Sequence, residues 1–507
     1  MSDKNVEKKG ILKEVVEKIT KVNVIVDEYN KMAITPAMPG NAFINIATAM
    51  YTKGFYNEAE NMLQSAICFP TKTSNALINL GIIKQSTGNF DEAIKFYSAA
   101  FEQDRENVKS LGLWGNCLAM KGLINEAIEK YKQAIEIDEK SADIYLSWGA
   151  LLIKNKQYKE AKEKLGKAIE YNQKDARPMY MYAIVQIEME EYDEALEKLI
   201  KIVRNTENNF EALHNIAYIY FKKKNYDKAI SFAKKVLAIF RHKVETYLLL
   251  GDIYAIQNQE EESVQFYEMA EMNGLHTFFL YLSWAVTLQK FNRHKEAIEK
   301  LHKSNDCLKT KNVDEVYARL ALSYYKVGNI EMALKSRDKA LEINPNNYMA
   351  NSVAAEIEVD NKNYEIALGF LEKCKEDFSN KGFNYSLMAQ CKDGLGQTEG
   401  VRELFEKAIE YMPNKKEILM AYTKFLIKNN DYETAKKKIK AFAESSNDTD
   451  VLDRYFEILY NLAKKGGYKY NIEQAIEIAK RAEAINTDKD KYTKEIEELE
   501  GILRNYE

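Results

Sequence analysis

Apolar residues recur along this chain as pairs of helical stripes, and residues 108–141 show one such pair clearly. Within each stripe the apolar or small residues are three or four positions apart, a spacing that places them on one face of an α-helix. The polar pair Lys121 and Gly122 separates the two stripes. The stripes consist of Leu111, Trp114, Gly115 and Leu118, and of Ala127, Tyr131 and Ala134. The segment is therefore predicted to be a helical hairpin.

The same pattern returns every 34 residues. A small residue marks the first helix of each hairpin, at Ala47, Gly81, Gly115, Gly149, Ala183, Ala217, Gly251 and Ala285. Twelve positions later an anchor marks the second helix, at Ala59, Ala93, Ala127, Ala161, Ala195, Ala229, Ser263 and Ala297. Because a single hairpin cannot bury its apolar face, such repeats are expected to stack on their neighbours.

Two additional residues enter near residues 304–315, and the 34-residue step then continues at Ala321, Ala355, Ala389 and Thr423. The sequence therefore predicts repeats one to eight in residues 40–311 and repeats nine to twelve in residues 312–449, with the insertion as a joint. Residues 450–507 are predicted to form a divergent thirteenth hairpin and a capping helix whose polar outer face keeps the end of the array soluble.

The first 39 residues carry a heptad-like apolar stripe followed by a break at Pro36, Pro39 and Gly40. The stripe consists of Leu12, Val15, Ile19, Val22, Val26 and Tyr29. It is too short for an autonomous coiled coil. Three roles are compatible with it: a helix that caps the array, a seam that pairs two chains, or a helix that occupies the groove of its own chain.

The composition agrees with a long helical protein, being 46% hydrophobic and 30% charged with only 6 Pro and 21 Gly. The net charge of -4 gives no basic footprint for nucleic acid, so no nucleic-acid partner is expected. The 5 cysteines are widely spaced without a CxxC pair, which favours reduced, buried thiols in a cytoplasmic protein. No apolar run is long enough to span a bilayer, so no membrane insertion is expected.

The sequence contains none of the common catalytic or cofactor-binding motifs. The 5 histidines show no HExxH spacing, and no converging set of Cys and His predicts a metal site. Neither a Walker loop nor a dinucleotide fingerprint occurs, because the glycines fall singly at packing positions or at hairpin turns such as Gly54, Gly88, Gly122 and Gly328. We therefore expect no cofactor, no metal and no enzymatic activity.

The 34-residue pattern resembles the tetratricopeptide repeat family. The resemblance rests on an apolar residue before the small one, as in Leu80–Gly81, Trp114–Gly115 and Trp148–Gly149, and on a Tyr or Phe that opens most second helices. It implies an all-α fold, a right-handed superhelical solenoid of antiparallel helix pairs. It also implies a concave groove lined by the first helices.

Groove positions in repeats five to eight carry many apolar side chains that the repeat core does not need. The residues singled out for peptide binding are Tyr180, Met181, Ile184, His214, Asn215, Tyr218, Phe221, Leu249, Asp252 and Phe279. Two interpretations are open: a groove with aromatic anchors for a partner, or packing between adjacent first helices with only edges exposed. The clamp by which some family members hold a chaperone tail is matched at two of five positions, Asn79 and Lys109.

The sequence thus predicts a non-catalytic scaffold that binds a protein or peptide segment in its concave groove. The alternative is a structural or self-assembling protein that forms homo-oligomers through the N-terminal helix or the ends of the solenoid. Neither the identity of the partner nor its pathway follows from the residues.

Overall fold

The computed structural model describes residues 39–67, 73–206, 208–308, 313–374, 381–466, 468–485 and 491–504. The apolar stripe predicted for the N-terminal segment lies outside these residues, as do residues 309–312 of the segment predicted to hold the insertion. Within them the chain forms 27 α-helices and no strand. No helix among the described residues is long and apolar enough to cross a membrane.

The helices alternate as the first and second members of hairpins. The first twelve are α1 (Pro39–Thr52), α2 (Tyr56–Ile67), α3 (Thr73–Ser86), α4 (Phe90–Gln103), α5 (Val108–Met120), α6 (Ile124–Ile137), α7 (Ala142–Lys154), α8 (Tyr158–Tyr171), α9 (Ala176–Glu188), α10 (Tyr192–Asn205), α11 (Phe210–Lys222) and α12 (Tyr226–Ile239). The next eight are α13 (Val244–Ile256), α14 (Glu260–Met272), α15 (Phe278–Lys290), α16 (His294–Asp306), α17 (Asp314–Lys326), α18 (Ile330–Ile343), α19 (Tyr348–Asp360) and α20 (Tyr364–Glu372). The last seven are α21 (Lys381–Gly394), α22 (Val401–Tyr411), α23 (Lys416–Lys428), α24 (Tyr432–Ser445), α25 (Thr449–Lys464), α26 (Lys469–Ile485) and α27 (Thr493–Leu503).

The chain divides into two compact units, Met1–Thr246 and Tyr247–Glu507. In the first unit each helix from α1 to α12 packs against the next one. In the second unit the same holds from α14 to α27. The predicted all-α array of helical hairpins is confirmed. The predicted boundary after residue 311 stays a prediction.

Besides Gly400, which has a left-handed backbone directly before α22, one residue with a left-handed backbone recurs in the turn of each hairpin. These residues are Gly54, Gly88, Gly122, Lys156, Glu190, Lys224, Asn258, Asn292, Gly328, Lys362, Gly396, Asn430 and Gly466. They keep the 34-residue step of the repeat, apart from the two longer steps that end at Gly328 and Gly466. The glycines predicted at hairpin turns are confirmed, because glycine adopts a positive φ without the steric cost that other residues bear.

The small residue of the first helix permits a close approach of the second helix. A Cβ added to Gly115 would lie 2.6 Å from a ring carbon of Tyr131, and one added to Gly81 would lie 2.4 Å from Tyr97. The predicted packing role of these glycines is confirmed. Ser263, the one predicted anchor of the first eight repeats that is not Ala, is fully buried and donates its hydroxyl to the Gly251 carbonyl at 2.9 Å.

The three tryptophans lie against the second helix of their own repeat. Trp284 is buried, and Trp114 and Trp148 are partly buried in one apolar cluster, so all three contribute to packing. At the C-terminal end Ile496 and Leu499 of α27 are buried in the cluster formed by α25 and α26. The last described helix therefore packs its apolar face on the preceding hairpin, and its role as a cap stays a prediction.

Candidate protein-binding groove

In the first unit the predicted groove residues lie on two successive first helices, α9 and α11. Side-chain caps fix where both helices begin: Asp175 accepts a hydrogen bond from the Arg177 amide, and Asn209 accepts one from the Ala212 amide. Such caps satisfy amide groups that have no partner within the helix. The starting point of each helix sets which side chains occupy its groove face.

A hydrogen bond joins two of the predicted residues across these helices. The amide nitrogen of Asn215 donates to the Tyr180 hydroxyl at 2.9 Å and also approaches the Glu211 carbonyl at 3.0 Å. Burial raises the pKa of Tyr180. The two bonds hold the Asn215 amide in one orientation and leave its side-chain carbonyl oxygen without a hydrogen bond from the described residues.

His214 lies on the same helix as Asn215 and is largely withdrawn from water. Its Nδ1 atom is 2.9 Å from the Thr246 hydroxyl. Burial lowers the pKa of His214 to about 4, and the positive charge of Lys243 acts in the same direction. The imidazole is therefore neutral near neutral pH and serves as an uncharged hydrogen-bonding group.

The aromatic pair predicted on α11 is half-buried. The ring centroids of Tyr218 and Phe221 are 6.4 Å apart, and the Lys222 ammonium lies 5.3 Å from the Tyr218 ring. Phe221 also lies near Tyr226, at 6.4 Å between centroids. Part of each ring therefore packs within the repeat, while the remainder stays open to water.

A pocket of about 410 Å³ opens beside Tyr180 and Met181. Its lining consists of Leu146, Ala176, Arg177, Tyr180, Met181, Ile202, Asn209 and Glu211. Sequence reasoning missed Leu146 and Ile202 as site residues. Leu146 occupies the same repeat position as Tyr180, 34 residues earlier, so the repeat register could have identified it. Nothing in the sequence distinguishes Ile202, which belongs to a second helix, from an ordinary core residue.

Ile184 of α9 is partly buried against the core of its repeat. The other three predicted residues belong to the second unit and differ in exposure. Phe279 of α15 is 69% exposed and makes an edge contact with Phe278 at 5.3 Å. Leu249 of α13 is only 6% exposed, so packing between helices describes it better than contact with a partner. Asp252 of α13 is partly exposed and accepts a hydrogen bond from the Tyr267 hydroxyl at 2.7 Å.

The charged state of Asp252 is set by burial and two hydroxyl groups. Burial raises the pKa of Asp252, while hydrogen bonds from Tyr267 and Ser283 oppose the rise. Among the described residues no group of three or more His, Cys, Asp or Glu side chains is arranged to hold a metal ion. The chemistry that the described groove residues offer is apolar contact and hydrogen bonding.

Comparison with protein families identifies the repeats directly. Three tetratricopeptide repeat models match the chain, one at residues 72–147 and 209–271, one at residues 152–217 and one at residues 314–347. No curated protein sequence matches the chain.

Solved structures of the same architecture are similar to the chain over different lengths. The APC/C hetero-tetramer Cut9–Hcn1 is 12% identical, with a TM-score of 0.50 over 91% of this chain and 97% of that one. MamA is 30% identical, with a TM-score of 0.30 over 33% of this chain and 97% of that one. YrrB, described as a tetratricopeptide repeat protein with an unusual peptide-binding site, is 23% identical, with a TM-score of 0.31 over 36% of this chain and 95% of that one.

Tetratricopeptide repeat proteins generally bind protein or peptide partners and generally lack catalytic activity. The repeat register, the stacked hairpins and the three matching models lead to one assignment. The chain belongs to the tetratricopeptide repeat family.

Proposed function

We propose that the chain is a non-catalytic scaffold whose first helices in repeats five to eight bind protein segments. In the first unit these helices are α9 and α11, and in the second unit they are α13 and α15. The observation that carries the proposal is the pocket of about 410 Å³ beside Tyr180 and Met181. Tyr180 and Met181 are partly buried beside the repeat core, whereas Leu146 and Ile202 in the same lining belong to that core.

The pocket is suited to one large apolar side chain of a partner. Leu146 and Ile202 are almost fully buried and form apolar parts of its wall, while Arg177 and Glu211 place charges at the lining. An apolar floor with charged groups around it is the usual arrangement of a protein interface anchor. Arg177 is held by Asp143 at 3.1 Å and by Asp175 at 2.7 Å, so its charge is already paired.

The half-buried rings of Tyr218 and Phe221 offer a second contact area on α11. Aromatic side chains bury much surface on binding and have few rotatable bonds to fix, which makes them effective anchors. The fixed Asn215 amide supplies a hydrogen-bond acceptor between the two areas. Such a surface suits an extended or helical segment whose apolar side chains are separated by polar ones.

Recovery of partners from a lysate tests the proposal. Wild-type chain is compared with the Tyr218→Ala, Phe221→Ala double variant after thermal unfolding has shown that both are folded. An Ile137→Ala, Ile239→Ala variant is the matched control, because both isoleucines are about equally exposed, at 40% and 41%, at the ends of second helices.

We expect the aromatic variant to lose at least one partner that the control retains, with an affinity loss of roughly tenfold or more for that partner. Equal recovery of every partner by all three proteins contradicts the groove assignment.

A further inference from the structure

Asp252 places an ionisable carboxyl group where the fold requires only a hydrogen-bond acceptor. Its carboxylate accepts the Tyr267 hydroxyl at 2.7 Å, and the equivalent bond in repeat three runs from the Tyr131 hydroxyl to the Asn116 amide oxygen at 2.6 Å. Both tyrosines lie against the helix-packing glycine of their repeat, Gly251 or Gly115. The uncharged amide of Asn116 therefore fulfils the same structural role.

The charge also lacks a basic partner within its own unit. Glu356 is likewise a partly buried carboxylate on a first helix of the second unit, and Lys326 pairs with it at 2.6 Å. No Lys or Arg among the described residues of the second unit forms an ion pair with Asp252. Lys290 of α15 donates instead to the Ala255 carbonyl at 2.6 Å.

A partly buried carboxylate without a counter-ion is unfavourable, since it has lost water contacts without gaining a compensating charge. The two hydroxyl donors satisfy some of its lone pairs, but they bring no positive charge. A cation supplied from outside the chain would recover that loss. If the bond to the tyrosine were the only role of this position, Asn would be sufficient, as it is at Asn116 in repeat three.

An apolar contact lies close to the carboxylate. Ser283 of α15 lies near enough to Asp252 to lower the pKa of its carboxyl group, and Phe279, 69% exposed, is one helical turn before Ser283 on the same face of that helix. A side chain with an aliphatic stem and a cationic end could place its stem along the ring and its charge at Asp252. Lys and Arg are the residues with that construction.

We propose that Asp252 receives the ammonium or guanidinium group of a Lys or Arg side chain in the bound protein segment, with the stem of that side chain on Phe279. The inference rests on the proposed function, because it assumes that a protein segment occupies the first helices. It adds the chemistry of one residue of that segment.

The test selects binders from a display library of random peptides on the full-length wild-type chain and, in parallel, on Asp252→Asn. The charge-matched control is Glu261→Gln, which removes an exposed carboxylate from the same unit. Thermal unfolding should show that Asp252→Asn is at least as stable as wild type, because the bond from Tyr267 persists as it does at Asn116 and the unpaired carboxylate is removed.

Peptides enriched on the wild type and on the control should share a Lys or Arg at a constant distance from an apolar residue, and Asp252→Asn should lose that preference. For one selected peptide, replacing the basic residue with norleucine should weaken binding to the wild type by roughly 30-fold and leave binding to Asp252→Asn nearly unchanged. The inference is overturned if the selected peptides have no fixed basic position, or if the norleucine replacement weakens binding equally on both proteins. Either result leaves the proposed groove function unaffected. Failure to enrich any peptide sensitive to Tyr218→Ala, Phe221→Ala overturns the proposed function together with the inference.

Discussion

The ammonium nitrogen of Lys300 lies 3.3 Å from the centroid of the Trp284 ring. The same pair of repeat positions holds Lys130 on Trp114 at 3.9 Å and Lys164 on Trp148 at 4.6 Å. In three other repeats the first helix has an aliphatic residue at this position and the second helix has Phe in place of Lys. The aliphatic cases are Leu80 with Phe96, Ile216 with Phe232 and Leu250 with Phe266. Each of these six hairpins thus has one aromatic ring at this contact, supplied by either helix.

We predict that the two arrangements are interchangeable. Trp284→Leu alone should destabilise the chain by about 2 kcal/mol, because it leaves a cavity and an unshielded lysine. Adding Lys300→Phe should recover most of the loss, since the pair then matches Leu250 and Phe266. Thermal unfolding midpoints measure both effects.

The control for this swap adds Lys295→Phe, at an exposed position of the same helix, to Trp284→Leu. It should recover nothing. Equal recovery by Lys295→Phe and Lys300→Phe would show that added hydrophobicity, and not the contact, restores stability.

Gly115 should be intolerant of even one methyl group. Gly115→Ala places a Cβ within 2.6 Å of the Tyr131 ring and should cost about 1 to 3 kcal/mol through overpacking. Tyr131→Leu should relieve part of this cost, because Ala183 and Leu199 occupy the same two positions in repeat five. Denaturant unfolding of the single and double variants measures the coupling.

Gly166 provides the contrast, because a Cβ there would meet only Tyr182 at 3.8 Å, an ordinary contact. Gly166→Ala should stabilise α8 by about 0.5 to 1 kcal/mol. If Gly115→Ala were as well tolerated as Gly166→Ala, close approach would not explain the glycine.

We predict that two substitutions in hairpin turns have opposite effects on stability. Lys156 has a φ of 60°, so Lys156→Gly should stabilise the chain by about 0.5 to 1 kcal/mol. Gly122 has a φ of 82°, and Gly122→Ala should destabilise it by a similar amount. Thermal unfolding checks the signs, and two changes of the same sign would contradict the assigned backbone.

We predict that the ionised carboxylate of Glu271 stabilises the second unit in a pH-dependent way. Although burial raises its pKa, hydrogen bonds from Lys303 and Tyr281 and the charge of Lys300 lower the pKa of Glu271 to about 2. A folded-state pKa below the ordinary value gives stability that is full above about pH 4.5 and is lost as the pH falls through about 2.

With solvent screening taken into account, Glu271→Gln should therefore lower the free energy of unfolding by about 1 kcal/mol at neutral pH. The difference in unfolding free energy from wild type should shrink as the pH falls below 4.5. Unfolding midpoints across that range measure it. Glu261→Gln, at an exposed position of the same helix, should show no such trend. A constant deficit at all pH values would contradict the ionic origin.

The hairpins and their anchors could be predicted because the 34-residue step brings the equivalents of Ala127 and Ala134 to the same contact in successive repeats. The left-handed turn could be predicted only where it is Gly. Lys156 and Glu190 adopt the same backbone, but their residue types carry no such signal. At these two turns the left-handed backbone can be predicted only from the position in the repeat and not from the residue type.

The candidate site was only partly predictable. The register places Tyr180, Met181 and Tyr218 on first helices, but it does not specify how deeply each side chain is buried, and Leu249 is largely covered. The bond between Asp252 and Tyr267 joins two helices, so it depends on how they pack and not on spacing along one of them.

Photo-crosslinking from the groove tests the central claim most directly. A benzophenone amino acid replaces Phe279 in one full-length protein, Tyr218 in a second and Ile239 in a third, and adducts formed in lysate are mapped by mass spectrometry. The account predicts that the positions on first helices capture a short segment of a partner protein and that position 239 does not. Capture of the same segments from all three positions, or adducts only with a second copy of the chain, would contradict it.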